Sequence, residues 1–93
     1  MDKKKIKEVI DIYRKKFEDL NIEKEAYPHD EFLNFPEIGL KHCYSMLDKM
    51  EKFLDEDRIE KSFRWLGFIQ GVLWSQKIYT LTELMNHNMP NGQ

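Results

Sequence analysis

The chain has 93 residues, of which 41% are hydrophobic, 13% aromatic and 34% charged, with a net charge of −2; that fits one domain with one modest core. The charge balance excludes a general attraction to nucleic acid or to anionic membranes, and the aromatic content excludes a disordered chain. The single cysteine, Cys43, excludes an intrachain disulfide framework.

Ile6, Val9, Ile10, Tyr13, Phe17 and Leu20 recur every three or four residues, the apolar stripe of an amphipathic helix over about residues 3–20. Asp2 is placed to cap its start and Asn21 to stop it. The runs Lys3-Lys4-Lys5-Ile6-Lys7 and Arg14-Lys15-Lys16 make this helix basic. Only Tyr13 and Phe17 interleave aromatics there, so a solvated face is a better account than a phosphate-binding one.

Residues 21–36 contain Pro28 and Pro36, which forbid an uninterrupted helix. Phe32, Leu33 and Phe35 are expected to tuck under the neighbouring helices. A connection of this length in so small a domain is itself a candidate functional segment.

Leu40, Cys43, Leu47, Met50 and Leu54 form the seam of a second helix over about 37–55, widened by Met46 and Phe53. Pro36 suits its first turn. Asp57 is expected to cap a third helix over about 58–76. There Ile59, Phe63, Leu66, Ile69 and Leu73 define one face, and Trp65, Phe68 and Val72 an adjoining one. A helix apolar on so many sides is expected to be central, or to lie at a subunit interface. Thr80 and Glu83 read as a capping box for a short helix over 81–88, with Leu81, Leu84 and Met85 docking on helix three. Residues 89–93, with Pro90 and Gly92, are expected to form a loose tail.

The fold expected is therefore all-α, a small helical bundle of three long helices plus a short C-terminal helix, with 1–88 as one domain. No stretch reaches the roughly 18 apolar residues of a membrane span. The N-terminus has charges but no apolar run of signal-peptide length, so the expected compartment is a reducing cytoplasm, the host's if the protein is viral.

Gly67 and Gly71 have small-xxx-small spacing, a groove that admits close approach of another backbone or a flat ligand. Packing against helix one or two is one account of it; an intersubunit or ligand contact is the other. Trp65 is the better interface anchor of the two tryptophans. The set expected at an interface or ligand contact is Arg64, Trp65, Gly67, Phe68, Gly71 and Val72.

His29, His42, His87 and Cys43 lack metal-ligand spacing, so no metal and no cofactor are expected. His87 reads as a C-terminal residue meeting free helix carbonyls. The acids Asp55, Glu56, Asp57 and Glu60 read as a solvated turn favouring the third helix N-terminus. No Ser/His/Asp set, phosphate loop or Cys-x-x-Cys can be assembled, so no catalytic residue is assigned.

The segment Glu60-Lys61-Ser62-Phe63-Arg64-Trp65-Leu66-Gly67-Phe68-Ile69-Gln70-Gly71-Val72-Leu73-Trp74, with Tyr79-Thr80-Leu81-Thr82-Glu83-Leu84 and His87-Asn88, resembles small, mostly uncharacterised proteins encoded by tailed bacteriophages and prophages. The resemblance covers about the last third of the chain. It implies a phage context, in which small accessory proteins bind a host factor or a host signalling molecule. It supplies no catalytic residues.

The leading expectation is a non-catalytic phage-type accessory protein that binds a host protein, as a homo-oligomer assembled through helix three. The alternative is a small-molecule or nucleotide-binding, sequestering protein, with a basic surface from helix one and aromatic walls from Trp65 or Tyr79. A small enzyme or nucleic-acid-processing protein is a third reading that no motif supports.

Overall fold

A computed structural model describes residues 1–90. Four helices, α1 (Lys3–Asp19), α2 (Pro36–Asp55), α3 (Ile59–Ser75) and α4 (Leu81–Asn88), make up the bundle, with no strand among the described residues. The expected tail at 89–93 falls mostly outside the described residues. Met89 is the extended residue that ends α4.

The seams of the first two helices are as the spacing predicts. Ile6, Val9, Ile10, Tyr13 and Phe17 are fully buried on α1, and Leu40, Cys43, Leu47, Met50 and Leu54 on α2 line the same core. Leu20 departs from the stripe. It is the C-cap of α1, past the last helical turn, and is exposed. The Asp2 carboxylate accepts from the Lys5 amide at 2.8 Å, satisfying one of the free donors at the α1 start.

The α2–α3 interface is the most extensive in the molecule. The three residues 56–58 join the two helices into a hairpin. α1 lies across both of them, and α4 closes against α1 and α3. α3 thus packs on all three other helices, yet keeps one side open. It buries Ser62, Leu66, Ile69 and Leu73, and Phe63 is 45% exposed. Of the expected stripe Leu66, Ile69 and Leu73 are buried and Ile59 packs against the core, while Ser62 is buried in place of Phe63. Its hydroxyl donates to the Met50 carbonyl at 3.3 Å, and Phe63, about 100° further round, points away. On α4 only Leu84 is buried; Leu81 and Met85 are exposed. The capping box is present, with Glu83 N–H donating to Thr80 at 3.1 Å and Thr80 N–H to the Glu83 carboxylate at 3.0 Å.

Three helices end in the same way. After α1, Ile22 N–H donates to Phe17 C=O and Asn21 N–H to Glu18 C=O; the pairs Arg58–Phe53 with Asp57–Leu54, and Ile78–Leu73 with Lys77–Trp74, repeat this after α2 and α3. These are Schellman motifs, with Asn21, Asp57 and Lys77 at φ of 57°, 59° and 63°. Asp57 is thus the left-handed terminator of α2 and not the cap of α3. The α3 N-cap is Arg58, without a side-chain hydrogen bond. Left-handed backbone costs a residue with a Cβ roughly 1–2 kcal/mol, partly offset by the entropy glycine loses. Lys77→Gly is therefore expected to stabilise the fold by about 1 kcal/mol, measured by urea denaturation.

The segment between α1 and α2 is extended and held at several points. Glu25 N–H donates to Lys41 C=O at 3.2 Å, Tyr27 N–H to His42 Nδ1 at 2.9 Å, and Gln76 Nε2 donates to Pro36 C=O. Phe32, Leu33 and Phe35 do not tuck under the helices; Phe32 is 95% exposed. The Tyr27 hydroxyl donates to Phe32 C=O at 2.8 Å, which ties the tip of the segment to Tyr27.

Candidate functional site: a groove between α2, α3 and the 22–35 segment

His42, Ser45, Met46 and Lys49 follow one another at i, i+3, i+4 and i+7 on α2, a second stripe beside the core seam. It faces Arg64, Trp65 and Phe68 of α3 across a concavity of about 390 Å³, with His29 at one end. A second concavity of about 260 Å³ adjoins it, walled by Tyr27, Pro28, His29, Leu33, Gly39, His42, Phe68, Val72, Ser75 and Gln76. The two share His29, His42 and Phe68 and form one groove.

Gly39 fixes how closely the walls approach. A Cβ there would lie 3.1 Å from Gln76 Nε2, 3.5 Å from Leu33 and 3.8 Å from Val72. Trp65 is half-buried and set edge-on against Phe53, ring centroids 4.8 Å apart; Lys61 covers Phe53 at 4.6 Å. These neighbours back the indole, which forms one wall of the concavity.

The electrostatics of the groove are one-sided. The chain carries 17 carboxylates, yet none lines either half among the described residues. Lys49 and Arg64 have no ion-pair partner among the described residues. His42 Nδ1 accepts from the Tyr27 amide, so the neutral ring carries its proton on Nε2 as a donor. Burial, then His29 and Lys49, lowers the His42 pKa. His29 stands 6.2 Å away, ring to ring.

Of the residues expected at a binding face, Arg64, Trp65, Phe68 and Val72 come together here. Gly67 and Gly71 do not: both are exposed on the outer side of α3, and a Cβ on either meets nothing within 4 Å. Packing against α1 or α2 does not explain them. The basic α1 surface and Tyr79 lie elsewhere. Tyr79 belongs to an aromatic cluster with Tyr13 and His87, at 5.7 and 4.7 Å.

That cluster carries a hydrogen-bonded chain. Gln70 Nε2 donates to Tyr13 Oη at 3.0 Å and to Asn88 Oδ1 at 2.7 Å, and Asn88 Nδ2 donates back to Gln70 Oε1 at 3.1 Å. The Tyr13 hydroxyl is left to donate to His87 Nδ1 at 3.0 Å. His87 therefore meets a phenol, and not the free helix carbonyls expected of it. Burial pushes the Tyr13 phenol up to about 12, and burial lowers the His87 pKa despite the opposing pull of Glu83. This arrangement is saturated and structural. Burial also raises the Cys43 thiol to about 12, which removes it as a nucleophile near neutral pH.

Sequence reasoning missed His29, His42 and Lys49. The signal for two of them was the second stripe on α2; nothing in the sequence placed His29 opposite it. Among the described residues no helix is long and apolar enough to cross a membrane, and no three His, Cys, Asp or Glu residues form a metal-holding group. No family model, curated protein or solved structure matches the chain.

Proposed function

We propose that this chain is a non-catalytic binding protein that sequesters a small anionic ligand with a planar ring, of which nucleotides are the natural class. The observation that carries this reading is the groove: Lys49, Arg64 and two histidines around the Trp65 and Phe68 walls, with no carboxylate among its lining residues. Arginine and lysine recognise phosphate, and aromatic faces and guanidinium planes hold a base by stacking. The Nε2–H of His42 adds a neutral donor. The cations come from α2 and α3, and not from α1.

The phage-type context that the C-terminal third resembles fits a sequestering role, since removing a host signalling molecule needs affinity and no chemistry. A host protein as the target is the competing reading, and the same experiment separates the two. A panel of mono-, di- and cyclic nucleotides is screened by thermal shift and calorimetry. At least one is expected to raise the melting temperature in proportion to its saturation. Lys49→Glu with Arg64→Glu is expected to weaken that ligand by at least about a hundredfold, because two phosphate partners become repulsive. No response to any nucleotide at about 1 mM, the weak end of specific binding, would sink this reading and favour a protein target.

A further inference from the structure

The outer side of α3 is not covered by any other element. Phe63, Phe68 and Trp74 on it are 45%, 56% and 51% exposed, and Gly67 and Gly71 leave an open notch between them. Leu81 of α4 extends the patch around the concavity beside Trp74. Three large exposed aromatics on one helix of so small a domain mark an interaction surface. This surface abuts the groove, and Arg64 and Phe68 border both.

Its pattern identifies the occupant. At about 100° per residue, measured from the side opposite Ser62, Leu66, Ile69 and Leu73, Phe63, Gly67 and Trp74 fall on one flank of the outward midline, Phe68 falls on the other, and Arg64 and Gly71 lie within about 10° of the midline itself. A twofold axis that sets two copies of α3 antiparallel places each flank against its own copy. On the first flank Phe63 then meets the partner's Trp74, an aromatic pair. From the second, Phe68 meets the partner's Gly71 at the midline, a large side chain over the notch. The two pairings share a midpoint at Ile69 to within about half a residue, so one axis satisfies both. Charge agrees. Glu60 at the start of α3 approaches the partner's Lys77 at its end, whereas a parallel pair would bring Glu60 to Glu60 and Lys77 to Lys77.

We infer that the outer face of α3 binds a second copy of this chain, forming an antiparallel twofold dimer with Phe63 stacked on the partner's Trp74 and Phe68 seated over the partner's Gly71. The inference is argued from the pattern of α3 and not from the ligand of the groove, although Phe68 and Arg64 belong to both surfaces; its readout is mass and not ligand binding.

Multi-angle light scattering across dilution tests it. The wild type is expected to be a dimer at high micromolar concentration. Gly71→Leu is expected to raise the dissociation constant at least about tenfold, because the new side chain occupies the seat of the partner's Phe68. It is expected to leave the diluted protein folded, with an unreduced melting temperature, since a Cβ at Gly71 meets nothing in the single chain and leucine is the better helix former. Mixed Phe63→Cys and Trp74→Cys proteins are expected to form the hetero-disulfide on mild oxidation; the native Cys43 is buried and stays out of the exchange. A wild type that is strictly monomeric at high micromolar concentration overturns the dimer. A Phe63→Cys protein that readily links to its own copy overturns the antiparallel arrangement, in which those two positions lie about 18 Å apart along the helix axis.

Discussion

Tyr13→Ala is expected to destabilise the protein by about 3–5 kcal/mol, the cost of deleting a large, fully buried aromatic side chain. Tyr13 is fully buried where α1, α3 and α4 meet. Its ring packs against Tyr79 and His87, and its hydroxyl links Gln70 to His87. A domain of this length has a total stability of about 5–14 kcal/mol, so the variant would lose a large share of it. Tyr13→Phe separates the two roles. It keeps the ring but strands His87 Nδ1 and one Gln70 hydrogen, so it is expected to cost about 1–3 kcal/mol. Urea denaturation of both variants checks this. A Phe variant as stable as the wild type would show that the hydroxyl chain contributes nothing net.

The second large effect is a loss of stability in mild acid. His42 and His87 each use Nδ1 as an acceptor, from the Tyr27 amide and the Tyr13 hydroxyl. Both arrangements require the neutral ring. Both folded-state pKa values are lowered, by burial first, then for His42 by His29 and Lys49 and for His87 by Lys5, against Glu83. An unfolded histidine titrates near 6.5, so between that pH and the folded pKa the unfolded chain binds more protons. The stability these rings contribute is therefore complete above about pH 6.5 and is lost as pH falls through the folded values. Each histidine sets a slope of at most about 1.4 kcal/mol per pH unit, reduced here because both rings are partly exposed and screened. Melting temperature against pH in wild type, His42→Asn and His87→Asn checks it. Asparagine keeps an acceptor without titrating, so each substitution is expected to flatten the curve below about pH 6.5. An unchanged curve in both variants would assign the acid sensitivity to the carboxylates.

The elements that could be read from the sequence are those whose periodicity has a single cause. The α1 stripe from Ile6 to Phe17 and the α2 seam from Leu40 to Leu54 each face one core, and spacing alone identifies them. The Thr80–Glu83 box is equally local. α3 was harder because it is apolar in several directions. Phe63, Trp65 and Leu66 compete for the core in the pattern, and only the close α2 approach at Ser62 decides the phase. In the segment before α2 the connection is irregular as its prolines imply, but Phe32, Leu33 and Phe35 stay exposed. Hydrophobicity says that Phe32 and Phe35 are suited to burial, but the segment is anchored through backbone and polar groups, by the Tyr27 amide on His42 and the Tyr27 hydroxyl on Phe32 C=O. Half of the groove was legible: Arg64, Trp65, Phe68 and Val72 share a helix. The other half was not, because His29 reaches the site through an irregular segment that carries no period.

The Tyr13–His87 hydrogen bond joins residues 74 positions apart, while α2 and α3 are joined by three residues. In kinetic terms these are the two extremes of loop closure. The α2–α3 hairpin can form from local contacts early in folding, and the chain's ends can join only after nearly the whole loop between them is closed. By this argument the Tyr13–His87 cluster is the last to form. Transient release of α4 and of the α1 face beneath it would expose Tyr13, Tyr79 and His87 together, leaving the α2–α3 hairpin and its groove assembled.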